Sequence, residues 1–277
     1  IISVILFIPY ALTPVAIRDA EKNFSEAFGE DWRNKIPTDV ENKYFLKTQF
    51  STFQYFLGVK SNNYIVEKDV LYFDGSKSPY EVDENITLYF DVYYPKEYSE
   101  DLPGQGSVLI RIHGGSWRSY DKGLSNMMQM NKYFASQGYI VFDIQYGLHR
   151  PNRQGDIFTP VNVLGNFNID DMIRHIGEFT KYLAAHADQY NANLNSVFIS
   201  GGSAGGHLAC ATALAIDSGR YRYLFSPKIK VKGIIPFYPG NVLPYEWGTP
   251  ELVRPELMIT AESPPSLVFQ GYQDALV

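Results

Sequence analysis

The sequence predicts an α/β protein with a mostly parallel, doubly wound sheet and helices on both faces. Three observations carry this. From residue 107 onward, short β-branched and aromatic runs alternate with longer helical patterns. One run, Val197-Phe198-Ile199, passes through Gly201-Gly202-Ser203-Ala204-Gly205 directly into the alanine-rich stretch from Leu208 to Ala215. Another, from Val108 to Ile112, runs into His113-Gly114-Gly115-Ser116-Trp117.

Taken in order, residues 1–17 carry no charge. Residues 1–20 read as an apolar N-terminal segment, a membrane anchor or signal remnant, with a segment packed on the domain as the alternative. A spanning helix wants about 20 apolar residues, and Pro9 and Pro14 weaken a regular one. On this reading the protein is membrane-associated or secreted rather than cytoplasmic. Residues 21–63 read as a helical lead-in, and 64–277 as the main domain. Val66–Phe73 and Leu88–Tyr94 form a hairpin edge that Pro95 ends. A strand at 107–112, a helix near 124–137 and a strand at 139–146 follow. The loop at 147–167 is long and lies on the edge where open α/β sheets bind ligands. A helix from about 169 to 190 leads to the strand and helix around Ser203. A strand at 230–238 ends at Pro239-Gly240. Residues 241–263 are irregular, and a last strand begins at Pro264-Pro265 and ends before Gly271.

A length of 277 residues with 45% hydrophobic content fits one α/β domain with a sizeable core. The net charge of −6 gives no basic surface for nucleic acid. Cys210 is the sole cysteine, so no internal disulfide exists. No zinc-spaced cluster and no phosphate loop occurs, so neither metal nor cofactor is expected.

The chemistry is concentrated at two glycine-rich turns. Gly201 and Gly205 remove the Cβ atoms that would clash in a sharp strand-to-helix turn, and Ser203 is presented at its tip. That arrangement is the nucleophile elbow that exposes a serine for acyl transfer. A tetrahedral intermediate carries an oxyanion, which needs N–H donors aimed at it. The amides of Gly114, Gly115 and Ala204 are the candidates. Together the two turns resemble the H-G-G-G loop and G-x-S-A-G-G elbow of carboxylesterases in the hormone-sensitive-lipase and acetyl-esterase branch of the α/β-hydrolases, the BD-FAE-like enzymes among them. Ser116 stands where that pattern has a third glycine. Asp91-Val92-Tyr93-Tyr94-Pro95 resembles the D-V-Y-x-P segment that precedes the oxyanion strand in such esterases.

The resemblance covers roughly residues 64–277. It implies a serine hydrolase that cleaves a small-molecule carboxylic ester through an acyl-enzyme at Ser203. It also implies that Asp274, just past the last strand, is the acid of the triad, and that a histidine follows it. The five histidines, His113, His149, His175, His186 and His207, all precede Asp274. The expectation is that the base lies beyond Val277, in a C-terminal piece of roughly 30–50 residues that supplies one more helix–strand unit. The chain ending at Val277 would then be inactive. His207 reads as a packing residue behind the elbow. Trp117 and His149 are the candidates for lining the substrate site. The alternatives are an amidohydrolase of the same fold, formamidase- or peptidase-like, and a non-catalytic receptor that keeps the fold without the base.

Overall fold

A computed structural model describes residues 2–44, 63–99, 101–124, 127–241 and 243–275. The chain divides into two compact units, residues 1–62 and 63–277. In the first unit, helix α1 (Ile2–Phe28) runs without a break through Pro9 and Pro14. A 3₁₀ turn (Trp32–Lys35) and helix α2 (Thr38–Tyr44) follow. The Phe24 ring packs on that of Trp32 at 5.2 Å. From Ile2 the apolar run is therefore the start of a longer helix that continues into charged residues. Among the described residues, no helix is long and apolar enough to cross a membrane. The rest of the lead-in, 45–62, lies outside the described residues.

The second unit is built on a six-stranded sheet. In chain order its strands are β1 (Ile65–Asp74), β2 (Thr87–Tyr94), β3 (Ser107–Ile112), β4 (Ile140–Ile144), β7 (Asn193–Gly202) and β8 (Val231–Phe237). They lie in the spatial order β1-β2-β4-β3-β7-β8. The β1–β2 and β2–β4 pairs are antiparallel. The pairs from β4 through β3 and β7 to β8 are parallel. Within the 147–167 loop, β5 (Leu148–His149) and β6 (Leu164–Gly165) make a short parallel ladder of their own.

Period-2 alternation sorts the strands' side chains onto two faces. On one face Phe90, Ile110, Phe142 and Ile199 join a large core with helices α4 (Ile169–His186) and α5 (Ala204–Asp217). On the other, Tyr93, Leu109 and Val141 pack with Ala135 of helix α3 (Met127–Ser136). Strands covered on both faces read as continuous apolar runs, and β4 is buried along its whole length. α4 is capped by Asn168, whose side chain accepts from the Asp171 amide while Asp171 accepts from the Asn168 amide. α5 is apolar nearly all round and is buried accordingly.

Two elements differ from the sequence-based expectation. The strand expected after Pro264 appears as two isolated parallel bridges, Ile234 to Ser266 and Phe237 to Phe269. The Pro265 carbonyl accepts from the Ile234 amide and the Phe269 carbonyl from the Tyr238 amide, but Pro236 of β8, between these donors, has no amide hydrogen, so the ladder is interrupted there. The irregular stretch 241–263 carries helix α6 (Pro250–Val253) and buries Leu252, Val253 and Met258 in the core that α5 shares.

His175 has a structural place on α4. Its Nδ1 accepts from the Gly147 amide (3.2 Å), so its Nε2 carries the proton and donates to Asp83 (2.9 Å). Asp83 is fully buried. It also takes two bonds from Arg174 (2.5 and 2.9 Å) and one from Ser78 Oγ (2.5 Å). Despite burial, these bonds hold the Asp83 carboxyl well below the usual carboxylate range. The clamp ties the 78–86 loop to α4.

Candidate active site

The parallel register aligns the strand ends that matter. Ile112 of β3 stands beside Gly201 of β7, Gly202 beside Phe237 of β8, and Phe237 beside Phe269. Ser203 follows at the C-terminal edge of the sheet, where ligands of open α/β folds bind.

Ser203 has φ 53° and ψ −121°, a conformation that side chains rarely adopt. Three backbone hydrogen bonds hold it there. Its amide donates to the Phe237 carbonyl (3.0 Å), and its own carbonyl accepts from the Gly240 and His207 amides (2.9 and 3.0 Å). The turn closes because Gly201 and Gly205 carry no side chain. A Cβ on Gly201 would stand 2.2 Å from the Gly205 carbonyl oxygen. The Ser203 side chain makes no capping bond to α5.

The 113–117 loop lies against this turn. A Cβ on Gly114 would come within 2.7 Å of the Gly202 carbonyl oxygen and 3.5 Å of Ser203 Cβ. The loop is wound tightly: Gly115, Ser116 and Trp117 have φ of 121°, 54° and 60°. The Gly115 carbonyl accepts from the Arg118 and Ser119 amides, both at 3.0 Å. Tyr146 donates to the His113 carbonyl (2.9 Å) and stacks on its ring at 4.6 Å. His113 Nδ1 faces the Gly114 carbonyl oxygen at 2.8 Å, and burial pushes the ring's pKa down, so it is neutral with the proton on Nδ1. Among the described residues no acceptor is bonded to the amides of Gly114, Gly115 or Ala204.

A cavity of about 600 Å³ opens in front of Ser203. Gly114, Gly115 and Ser203 line it, with Tyr120 and Phe158 also in its wall. Arg111 and Asp143 face it from the next-to-last positions of β3 and β4. Sequence reasoning passed over that charged pair. The available signal was a lone arginine and a lone aspartate in otherwise apolar strands. Trp117 and His149 do not line this cavity. They meet at Trp247 instead, with ring centroids at 6.4 and 5.1 Å. His207 is buried behind the elbow, with Nε2 bonded to the Val253 carbonyl (3.0 Å) and its pKa pushed down to about 4 by burial. Among the described residues, no histidine ring is hydrogen-bonded to the Ser203 hydroxyl. Asp274 follows the Phe269 bridge on the turn after Gly271, and its Oδ2 accepts from Gln270 Nε2 at 3.4 Å.

Comparison with known proteins bears on the fold and the family. The apo form of Thermogutta terrifontis esterase 2 superposes with a TM-score of 0.54 at 21% identity, covering 80% of this chain and 76% of that one. Esterase B of Lactobacillus rhamnosis, solved with a tributyrin phosphonate inhibitor, gives a TM-score of 0.52 at 19% identity, covering 80% and 70%. The fold is that of the α/β-hydrolases. In sequence, the probable carboxylic ester hydrolase LipM of Mycobacterium tuberculosis is 28% identical over 139 residues. That match covers 50% of this chain and 28% of LipM, so it spans less than a third of the relative's length. The family model described as BD-FAE matches residues 90–247, which include both glycine-rich turns and more than half of the sequence, and the chain belongs to that family.

Proposed function

We propose that this protein is a serine esterase acting on small-molecule carboxylic esters, with Ser203 as its nucleophile. The observation that carries the reading is the contact of the two turns: Ser203 stands at positive φ on the strand-to-helix corner, with Gly114 packed against it. In this mechanism the Ser203 hydroxyl attacks the ester carbonyl. The oxyanion that forms takes hydrogen bonds from the Gly114, Gly115 and Ala204 amides, which have no other acceptor among the described residues. The alcohol leaves with a proton, and water then releases the acid from Ser203. A serine hydroxyl is a weak nucleophile without a base, so a histidine must take its proton. Asp274 is the acid that orients this imidazole. It follows a segment two strands across from Ser203, roughly 10 Å at the usual strand spacing, which leaves room for a ring between them.

The test is hydrolysis of short p-nitrophenyl esters by the full-length protein, with Ser203→Ala beside it. The expected result is turnover by the wild type and a loss of at least about 10³-fold in the variant. Turnover that survives Ser203→Ala overturns the assignment.

A further inference from the structure

The cavity in front of Ser203 has a charged floor that ester cleavage does not itself use. Arg111 is only 3% exposed. Its Nη1 donates to Ser200 Oγ (2.6 Å), and that hydroxyl donates onward to the Ile235 carbonyl (2.6 Å). Among the described residues its Nη2 meets only the thioether of Met127 (2.9 Å), and its buried Nε has no partner. The ring of Phe237 lies 5.7 Å from the guanidinium carbon.

A buried guanidinium ordinarily has a carboxylate against it, because an isolated buried charge is expensive. The carboxylate best placed for this is Asp143, the register partner of Arg111 on β4. Asp143 is engaged elsewhere: its Oδ2 accepts from the Gly123 amide (2.9 Å) and from Asn131 Nδ2 (3.0 Å). Among the described residues, no carboxylate oxygen lies within the 4.0 Å ion-pair distance of Arg111. The Nε–Nη2 edge is the one that grips a carboxylate with two parallel bonds. In Arg111 that edge has no oxygen on it.

We propose that Arg111 is a specificity-determining residue that binds a carboxylate carried by the substrate, so that the preferred substrates are esters with a free acid group. This rests on the assignment of Ser203 above. Arg111 pairs in register with Ser200, three residues before Ser203, which is roughly 10 Å along a strand. A short dicarboxylic chain covers that distance.

Beside Asp143, Asp121 faces the same cavity. Asp121 Oδ1 is occupied by the Lys122 amide (2.8 Å) and Gln145 Nε2 (2.7 Å). Lys122 itself bridges Asp69 and Asp91 (2.5 and 2.8 Å). Burial pushes the Asp143 carboxyl up to about 6. Asp143 therefore takes up a proton as a second anion arrives, and the preference for acidic esters strengthens as pH falls toward 6.

The experiment compares matched substrate pairs with the full-length protein. Monomethyl glutarate against methyl pentanoate places the acid on the acyl side. 4-Acetoxybenzoate against phenyl acetate places it on the alcohol side. The wild type should favour the charged member of one pair by at least about tenfold in kcat/KM. Arg111→Met should bring that ratio to one or below, chiefly through KM, and Arg111→Lys should keep part of it. A preference for the neutral member in both pairs overturns the proposal, as does a ratio that Arg111→Met leaves unchanged. Calorimetric titration of Ser203→Ala with glutarate and with benzoate reads binding without turnover. Binding of either that Arg111→Met abolishes in the same background supports Arg111 even if the Ser203 assignment fails, and no binding of either overturns it.

Discussion

Gly205 sits directly against Ile112: a Cβ on Gly205 would stand 2.1 Å from the Ile112 carbonyl oxygen and 2.6 Å from that of His113. The first residues of α5 thus touch the end of β3, and this contact fixes the distance between the two glycine-rich turns. Both obstacles are backbone, so neither can swing aside. Gly205→Ala should cost about 2–4 kcal/mol, read from the urea midpoint. It should also lower ester turnover beyond what the loss of folded protein explains, because β3 and the 113–117 loop must shift to make room.

Ser203→Gly should separate strain from chemistry. Holding a side chain at φ 53° and ψ −121° costs about 1–3 kcal/mol, which glycine does not incur. The expected outcome is a protein without esterase activity that is more stable than Ser203→Ala by about 1 kcal/mol. Thermal unfolding of the two variants side by side measures it, and equal melting temperatures would remove the strain argument.

The strand ends were readable in the sequence because the apolar runs at Val108–Ile112 and Val197–Ile199 stop abruptly at glycine. Glycine clusters of that kind mark places where backbones meet. The charged floor was less readable. Alternation puts Arg111 and Asp143 on one face, but it does not say whether they pair. That is decided by Gly123 and Asn131, which come from a loop and a helix that a strand pattern does not see. Trp117 and His149 were expected beside the substrate, since both follow strands that end at the binding edge. The positive φ values from Gly115 to Trp117 turn the loop so that the indole packs on His207 and Trp247. Backbone conformations of this kind at a serine and a tryptophan leave no signature in residue type. A strand after Pro264 is expected from the sequence, and its reduction to two bridges against β8 follows from Pro236, which has no amide hydrogen to donate between them.

Removal of the Asp83 carboxylate tests the clamp on α4. His175 would be left buried without its acceptor, and Arg174 would keep only Asp171 as a carboxylate partner among the described residues. Asp83→Ala should destabilise the protein by about 3–5 kcal/mol, measured by chemical denaturation. Because the clamp has no part in the Ser203 cavity, activity per folded molecule should stay near the wild-type value. A specific activity that falls with the variant would link the clamp to the site.

Stability between about pH 4 and 6.5 should reflect two opposed titrations. Burial holds His207 at about pKa 4, while the unfolded ring titrates near 6.5. The stability His207 provides is therefore complete above pH 6.5 and is lost as pH falls through 4. Burial raises Asp143 to about 6, while an unfolded aspartate titrates near 3.9. Its contribution is complete below pH 4 and is lost as pH rises through 6. The two slopes largely cancel in the wild type. His207→Gln should leave stability that falls with rising pH over this window, and Asp143→Asn should leave stability that rises, each by about 2 kcal/mol. Urea midpoints at half-unit pH steps decide it, and parallel profiles for the two variants would refute the assignment.

The bonds that brace Ser203 also set its motion. Its amide is tied to the Phe237 carbonyl and its carbonyl to the Gly240 amide, so both sides of the peptide chain at this corner are fastened to the end of β8 and the turn after it. A residue at a sharp surface turn would normally exchange its amide hydrogen through small local openings. Here exchange requires β7 and β8 to part, so deuterium should enter Ser203 at the pace of the central sheet. The corner that presents the hydroxyl belongs to the slowest-opening part of the molecule, and adjustment to different substrates falls to the loops around the cavity.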